Sequence, residues 1–411
     1  MKDGSPFTAA VAQIIHAVVP VRIKHWVFAS DYGNLYREGS KYLFEYMNKN
    51  HPEIDCTYIV KNPKTLDEIK KKGFKAAMNS SLKGMLSIAK ADVIFTTQWV
   101  NDLDYAFVKK GRRFYYLNHG QSLKKQMKAL TDSYKQKIHK ETNKTSSRND
   151  SLRKHPLLWF FCNAVYRLAG QPRSHQIDDV SFVSANSDFF LPFFRESYGD
   201  GMPVRILGMP RNDALFRHED MKKERWLGGL DGKFIVTYMP THRLYGIGKL
   251  TPTPFVNNPD CLQWMRDNNV ILLMKQHPNM KSDSSGNSSI DVIRDISNEG
   301  LDPQVVIYHS DVLISDYSSV WLDYLLLQRP LITYLYDDFE NEDAGLNMDI
   351  RQDTPGHLCY SEEELFSLIK KAKEHYEEMK PQWSQIKKFY KDPDGNACRR
   401  YFEAISEEMG Y

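Results

Sequence analysis

The 411-residue sequence has no uncharged apolar run of about 18 residues, the length a helix needs to cross a bilayer, so no membrane-spanning helix is expected. Its five cysteines, Cys56, Cys162, Cys261, Cys359 and Cys398, are widely spaced and form no CxxC pair. That pattern excludes a disulfide framework and a thiolate zinc site, and it fits a reducing compartment. A G-x-G-x-x-G phosphate loop is missing, as are an internal repeat and a carboxylate cluster at metal-ligand spacing, so neither a bound cofactor nor a divalent ion is predicted. The apolar start from Pro6 to Phe28 is interrupted by His16, Arg22, Lys24 and His25. It lacks the basic region and small-residue cleavage site of a signal peptide, and is expected to be retained.

What is present is ordinary for a folded chain: 41% hydrophobic, 26% charged and 12% aromatic residues. Such a composition leaves little room for long disordered regions, and the length fits two domains of about 150 to 200 residues each. The formal net charge of +3 conceals an asymmetry, because Lys109 to Arg173 holds 16 lysines and arginines against Asp132, Glu141 and Asp150.

Short apolar runs alternate with helix-like stretches, the pattern of a parallel sheet covered on both faces. Strands are expected at His25–Ala29, Cys56–Val60, Ala91–Thr96, Arg113–Leu117, Ser181–Ser184 and Val204–Leu207, with helices at Tyr42–Asn48, Leu66–Lys71 and Ser81–Ala89. The alternation restarts with strands at Lys233–Tyr238, Val270–Lys275, Val305–Tyr308, Val312–Ser315 and Leu331–Tyr334, and a helix at Ser318–Leu327. Phe216–Asp231, ending in Gly-Gly-Leu-Asp-Gly, reads as the linker. The fold class is therefore α/β, with two doubly wound Rossmann-like domains over residues 1–225 and 226–411. Residues 123–170 are too many for an ordinary connection and combine spaced lysines with Trp159, Phe160, Phe161 and Tyr166. Two readings stand for them: an interfacial helix on an anionic membrane surface, or a solvated basic loop followed by a core helix.

Open α/β sheets bind ligands at the carboxyl ends of their strands, and four polar motifs fall there. The first, Asn118-His119-Gly120-Gln121-Ser122-Leu123-Lys124, puts a histidine at a turn whose glycine admits a ligand to the backbone. His119 is a candidate base there, although a lone histidine is as readily structural. Pro240-Thr241-His242-Arg243 and Lys275-Gln276-His277-Pro278 put cationic groups at two more strand ends. Taken singly, Arg243 reads as a surface ion pair and His277 as a buried, hydrogen-bonded ring; taken together they read as anion ligands. In Ser315-Asp316-Tyr317-Ser318-Ser319, Asp316 and the serines suit a helix N-cap whose free N–H groups favour phosphate.

These motifs, with Gly208-Met209-Pro210-Arg211-Asn212-Asp213, Arg329-Pro330 and Tyr334-Leu335-Tyr336-Asp337, resemble in order and spacing those of the CDP-glycerol glycerophosphotransferases of teichoic acid and capsule synthesis. The likeness covers roughly residues 90 to 360 and departs at Gln121-Ser122, where the family often has Thr-Pro, and at His242, where an aromatic is usual.

The resemblance implies a GT-B architecture, with an N-terminal domain that faces acceptor and membrane and a C-terminal domain that holds the CDP donor. It also implies transfer of glycerol phosphate from CDP-glycerol, or ribitol phosphate from CDP-ribitol, to a lipid-linked polymer at the cytoplasmic face of the plasma membrane. His119 and His277 would be catalytic. Arg243, Thr241, Lys275, Asp316, Ser318 and Ser319 would hold the donor phosphates, and Arg211, Asn212 and Lys124 would contact acceptor or phosphate, with Arg211 also readable as a hinge. A glycosyltransferase using a nucleotide sugar would share the fold. A non-catalytic lipid- or nucleic-acid-binding protein is the other alternative, but no nucleic-acid recognition module is visible and no nucleic-acid partner is expected. The oligomeric state is left open.

Overall fold

The computed structural model describes residues 6–98, 101–121, 123–125, 129, 173, 175–224, 226–241, 253–276, 290–337 and 345–411. Its frame is a pair of wholly parallel sheets. In the N-terminal one, β1 (Arg22–Phe28), β2 (Asp55–Val60), β3 (Ala76–Met78), β4 (Ala91–Thr96) and β5 (Arg113–Tyr116) lie in the order β3-β2-β1-β4-β5. β6 (Val183–Ala185) and β7 (Val204–Ile206) pair with each other, and a parallel bridge from Phe114 to Val180 connects this end of the chain to β5. The C-terminal sheet takes β8 (Phe234–Tyr238), β9 (Val270–Met274), β10 (Ile293–Asp295), β11 (Val312–Ser315), β12 (Leu331–Tyr334) and β13 (His357–Cys359) in the order β10-β9-β8-β11-β12-β13.

Parallel strands covered on both faces must be apolar throughout, which is why β4, β9, β11 and β12 are buried at every position. The N-terminal core is aromatic: Trp26, Phe28, Phe44, Tyr58 and Phe95 are fully buried, and the Phe28 and Phe95 rings stack with centroids 4.6 Å apart. Helices begin where the sequence supplies an acceptor side chain, often followed by proline. Asn62 Oδ1 accepts from Lys64 N ahead of Pro63–Lys71, and Asn258 Oδ1 accepts from Cys261 N ahead of Pro259–Asp267.

Two expectations are corrected. Val305–Tyr308, read as a strand from its apolar run, lies within the helix Pro303–His309. Asp302 caps it by accepting from Gln304 N at 3.0 Å and Pro303 takes its first turn, so the start signals outweigh the β-branched run. The domain limits also change, because the end of the chain crosses back to the N-terminal domain. In the helix Ala397–Met409, Cys398, Tyr401, Ala404 and Ile405 pack into the N-terminal core, and Trp26 Nε1 donates to Tyr411 Oη at 2.8 Å. Cys56, Cys261, Cys359 and Cys398 are buried free thiols. Of the basic aromatic stretch 123–170, all but 123–125 and 129 lies outside the described residues. No helix among the described residues is long and apolar enough to cross a membrane.

Candidate active site

Each sheet reverses its winding next to its first strand, between β1 and β4 in one domain and between β8 and β11 in the other. Crevices open at the carboxyl ends of such strand pairs. The C-terminal crevice is framed by Met239–Thr241 after β8 and Asp316–Ser319 after β11. Asp316 is fully buried, and its Oδ1 accepts from Thr241 N at 2.8 Å, bridging the two loops. Ser315 Oγ adds a hydrogen bond to the Met239 carbonyl at 3.0 Å.

Asp316 thus reaches across the crevice mouth from the start of the helix Val320–Leu325 to the loop after β8. Ser319 holds the N-cap position with a helical backbone and makes no side-chain cap bond, while Ser318 Oγ is a long 3.4 Å from Val320 N. Both serines are half-buried at the crevice edge. Lys275, just past β9, is buried; burial and the nearby Arg37 guanidinium lower its pKa to about 8, against the pull of Asp302 and Asp295. Thr241 is buried beside Asp316. Arg243 and His277 lie outside the described residues.

From the other domain, the turn after β5 carries His119 to the same place. Asn118 is left-handed at φ 57°, and its Oδ1 accepts from His119 N at 3.0 Å, which fixes the turn. Gly120 is also where the two domains pack tightly. A Cβ there would collide with Ser319 Oγ and stand 3.2 Å from Ser319 Cβ. The His119 turn and the Ser318–Ser319 corner therefore meet across the domain boundary. The His119 side chain is open to the cleft, yet protein surrounds it. Burial, then the charges of Arg211 and Lys124, lower its pKa to about 4, opposed by the Thr97 carbonyl and Asp31. A pKa lowered this far leaves the ring neutral at pH 7.

Arg211 holds this meeting point from beneath. Its Nη1 donates to the His119 carbonyl at 2.5 Å and to Glu38 Oε2 at 2.9 Å, and its Nε lies 2.8 Å from Asp323 Oδ2 on the helix that follows Ser319. Glu38 and Asp323 belong to opposite domains, so one buried guanidinium ties both to the backbone of the candidate base. The carboxylates more than offset its burial and keep it charged. Its neighbours are struts too: Asn212 Nδ2 donates to Tyr390 Oη at 3.3 Å, and Asp213 accepts from Ala397 N and Cys398 N at 2.8 and 2.7 Å. Arg211 and Asn212, expected to contact acceptor or phosphate, make these structural contacts. Lys124 is half-buried beside the residue 345–347 segment, where Asn347 Nδ2 donates to its carbonyl at 3.1 Å. A second interdomain tie joins Lys41 Nζ and Tyr42 Oη to Asp302 Oδ2 at 3.0 and 2.9 Å.

Sequence reasoning missed Asp102. This fully buried carboxylate accepts from Tyr32 N at 2.7 Å, Thr97 N at 2.6 Å and Gln98 N at 2.9 Å, joining the loops after β1 and β4. Burial raises its pKa to about 6 against the pull of those donors. Its distance from the end of β4 offered no motif to find it by. No cluster of three metal-ligating side chains occurs among the described residues.

Known proteins give this geometry a context. The chain is 29% identical over 191 residues to the teichoic acid glycerol-phosphate primase of Bacillus subtilis, covering 46% of this chain and 48% of that protein. It is 29% identical over 250 residues to the teichoic acid poly(ribitol-phosphate) polymerase of Bacillus spizizenii, covering 58% and 39%. These matches span half or less of either relative. A 25% identity over 374 residues to the teichoic acid poly(glycerol phosphate) polymerase of Bacillus spizizenii covers 88% of this chain and 86% of that one. The wall teichoic acid polymerase TagF superposes with a TM-score of 0.70 at 20% identity, over 98% of this chain and 92% of that one, so the two share the GT-B fold. One TagF structure followed a soak with CDPG. With its family model matched over residues 11–407, the chain belongs to the CDP-glycerol:poly(glycerophosphate) glycerophosphotransferase family.

Proposed function

We propose that this chain moves a polyol phosphate from a CDP-polyol to a hydroxyl of a membrane-linked polymer and releases CMP. The observation that carries the reading is the contact between the His119–Gly120 turn of one domain and the Ser318–Ser319 corner of the other, too close for a Cβ on Gly120. A base and a polar strand-end crevice then face one reaction volume. Family membership and the relatives named for glycerol-phosphate and ribitol-phosphate polymers support the donor class.

In the proposed step, the acceptor oxygen bonds to the β-phosphorus that bears the polyol, and the bond from that phosphorus to the bridging oxygen breaks. CMP leaves with the electron pair, while the hydroxyl proton passes to the neutral His119 ring. The diphosphate raises the basicity of His119 as it binds, since an anion favours the imidazolium. Lys275, Thr241, Ser318 and Ser319 would line the diphosphate, with Arg243 and His277 as further candidates from the same motifs. Positioning and fixed charge would supply most of the catalysis. The acceptor's lipid carrier would place the protein against the inner face of the plasma membrane, with the basic stretch at 123–170 as its contact.

The test is CMP release from CDP-glycerol, CDP-ribitol and a UDP-sugar control in the presence of a glycerol-phosphate acceptor. Acceptor-dependent release from one CDP-polyol, reduced about 10²–10⁴-fold in His119→Ala, is expected. UDP release alone would assign the cleft to sugar transfer instead.

A further inference from the structure

The segment that leaves the His119 turn is held by backbone from the other domain. Leu346 bridges Lys124 in antiparallel fashion. Around that bridge Lys125 N donates to the Gly345 carbonyl at 3.1 Å, Asn347 N donates to the Leu123 carbonyl at 2.8 Å, and Asn347 Nδ2 donates to the Lys124 carbonyl at 3.1 Å. Asn347 thereby satisfies two successive carbonyls, groups that must find donors when they leave water. Gly345 is left-handed at φ 87°, a backbone that glycine adopts at little cost. Leu123 on one side of the pairing, and Met348 and Ile350 just after the other, are buried in the core.

Residues 345–347 belong to the connection from β12 to the helix Ile350–Asp353. That connection is also tied beside the C-terminal crevice, because Tyr317, fully buried just before Ser318, donates its hydroxyl to the Asp337 carbonyl at 3.1 Å. It therefore meets the Ser318–Ser319 corner at its start and the His119 segment at its end. Within its own domain the His119 segment is fixed at Gln121, whose Nε2 donates to Asn186 Oδ1 at 3.3 Å and whose Oε1 accepts from Asn186 N at 3.2 Å. Of the three hydrogen bonds across the pairing, the Asn347 side chain makes the one that a substitution removes without touching backbone. Its loss leaves the Arg211 tie and the Gly120 contact in place, so the domains stay joined while the turn gains freedom.

We propose that Asn347 is a positioning residue for the transfer step: by binding the carbonyls of Leu123 and Lys124 it locks the segment after His119 to the C-terminal domain and sets how that ring stands to the Ser318–Ser319 corner. The inference rests on the polyol-phosphate transfer reading and adds a residue that acts through His119.

The experiment measures CMP release with a glycerol-phosphate acceptor for wild type, Asn347→Ala and Asn347→Asp, and for Asn347→Ala in a His119→Ala background. Aspartate keeps the shape of the side chain but its carboxylate cannot donate. Both single variants are expected to lose about tenfold in kcat, with donor KM and melting temperature unchanged, since a small misplacement of a reacting group is costly. In the His119→Ala background Asn347→Ala is expected to lower kcat no further, because the two act as a unit. A wild-type kcat in both single variants, a matching rise in donor KM, or an undiminished loss in the His119→Ala background overturns the proposal while leaving transfer intact. A wild-type protein that releases no CMP from any CDP-polyol overturns both.

Discussion

The two domains solve one problem, holding two loops at a sheet's reversal point, with different degrees of visibility in the sequence. In the C-terminal domain the bridging aspartate follows β11 directly, and Asp316 stands within a run of polar residues that reads as a motif. In the N-terminal domain the bridge is Asp102, beyond the end of β4, and the strained residues it holds, Asp31 and Tyr32, follow β1. The C-terminal bridge holds ordinary backbone at Thr241, whereas the N-terminal one holds two left-handed residues and an exposed ring. The difference teaches that a crevice lined by polar motifs suits a charged, invariant ligand such as a nucleotide diphosphate. A crevice built from loop conformation depends on hydrogen bonds between distant loops and leaves no run of residues to read as a motif.

The largest expected effect strikes what the two domains share. Arg211→Ala leaves Glu38 and Asp323 buried without their cation, and thermal or denaturant unfolding should register a loss of about 3–5 kcal/mol. A loss below about 1 kcal/mol, the range of an exposed ion pair, would mean that the domains are not coupled through this group. Next is Gly120→Ala, which pushes Ser319 away from the His119 turn and should lower CMP release on the order of 10²-fold with a smaller change in stability. Because the collision is with Ser319 Oγ, the penalty should shrink in a Ser319→Ala background; an undiminished penalty would place the fault elsewhere.

A pH series gives the smallest effect and separates the domains by charge. Lys275, with a pKa of about 8 instead of 10.5, carries its charge below pH 8 and loses it above. Affinity for CDP should therefore fall as pH rises through 8, by at most about tenfold per unit, and Lys275→Met should flatten the slope. On the acid side His119 gains a proton only well below its ordinary 6.5, so kcat/KM should hold level from about pH 7 down past 6.5 and fall only well beneath it.

Much of the frame was legible because parallel strands buried on both faces must be apolar along their length. β4, β11 and β12 were readable to the residue from that pattern. The three-residue strands β3, β10 and β13 were not, since so short a run carries little period, and the equally short β6 and β7 were read only with shifted ends. Val305–Tyr308 misled because β-branched residues look alike in a strand and in a buried helix, and the decisive signal was the Asp302-Pro303 pair just before them. Of the site, residues next to a strand end were found, His119 and Ser319 among them. Their partnership was invisible, because Gly120 against Ser319 is a contact between residues about 200 positions apart. Arg211 was recognised within its motif, but its burial between two carboxylates belongs to the tertiary structure alone.

The division of labour between the crevices is tested most directly by titrating CDP into wild type, Asp316→Ala and Asp102→Ala in a calorimeter, with no acceptor present. Each substitution removes the carboxylate that accepts a buried backbone N–H, at a cost of about 1–3 kcal/mol to the loop it holds. The account predicts CDP affinity weakened about tenfold in Asp316→Ala and unchanged in Asp102→Ala. Equal weakening in both, or weakening in Asp102→Ala alone, would contradict it.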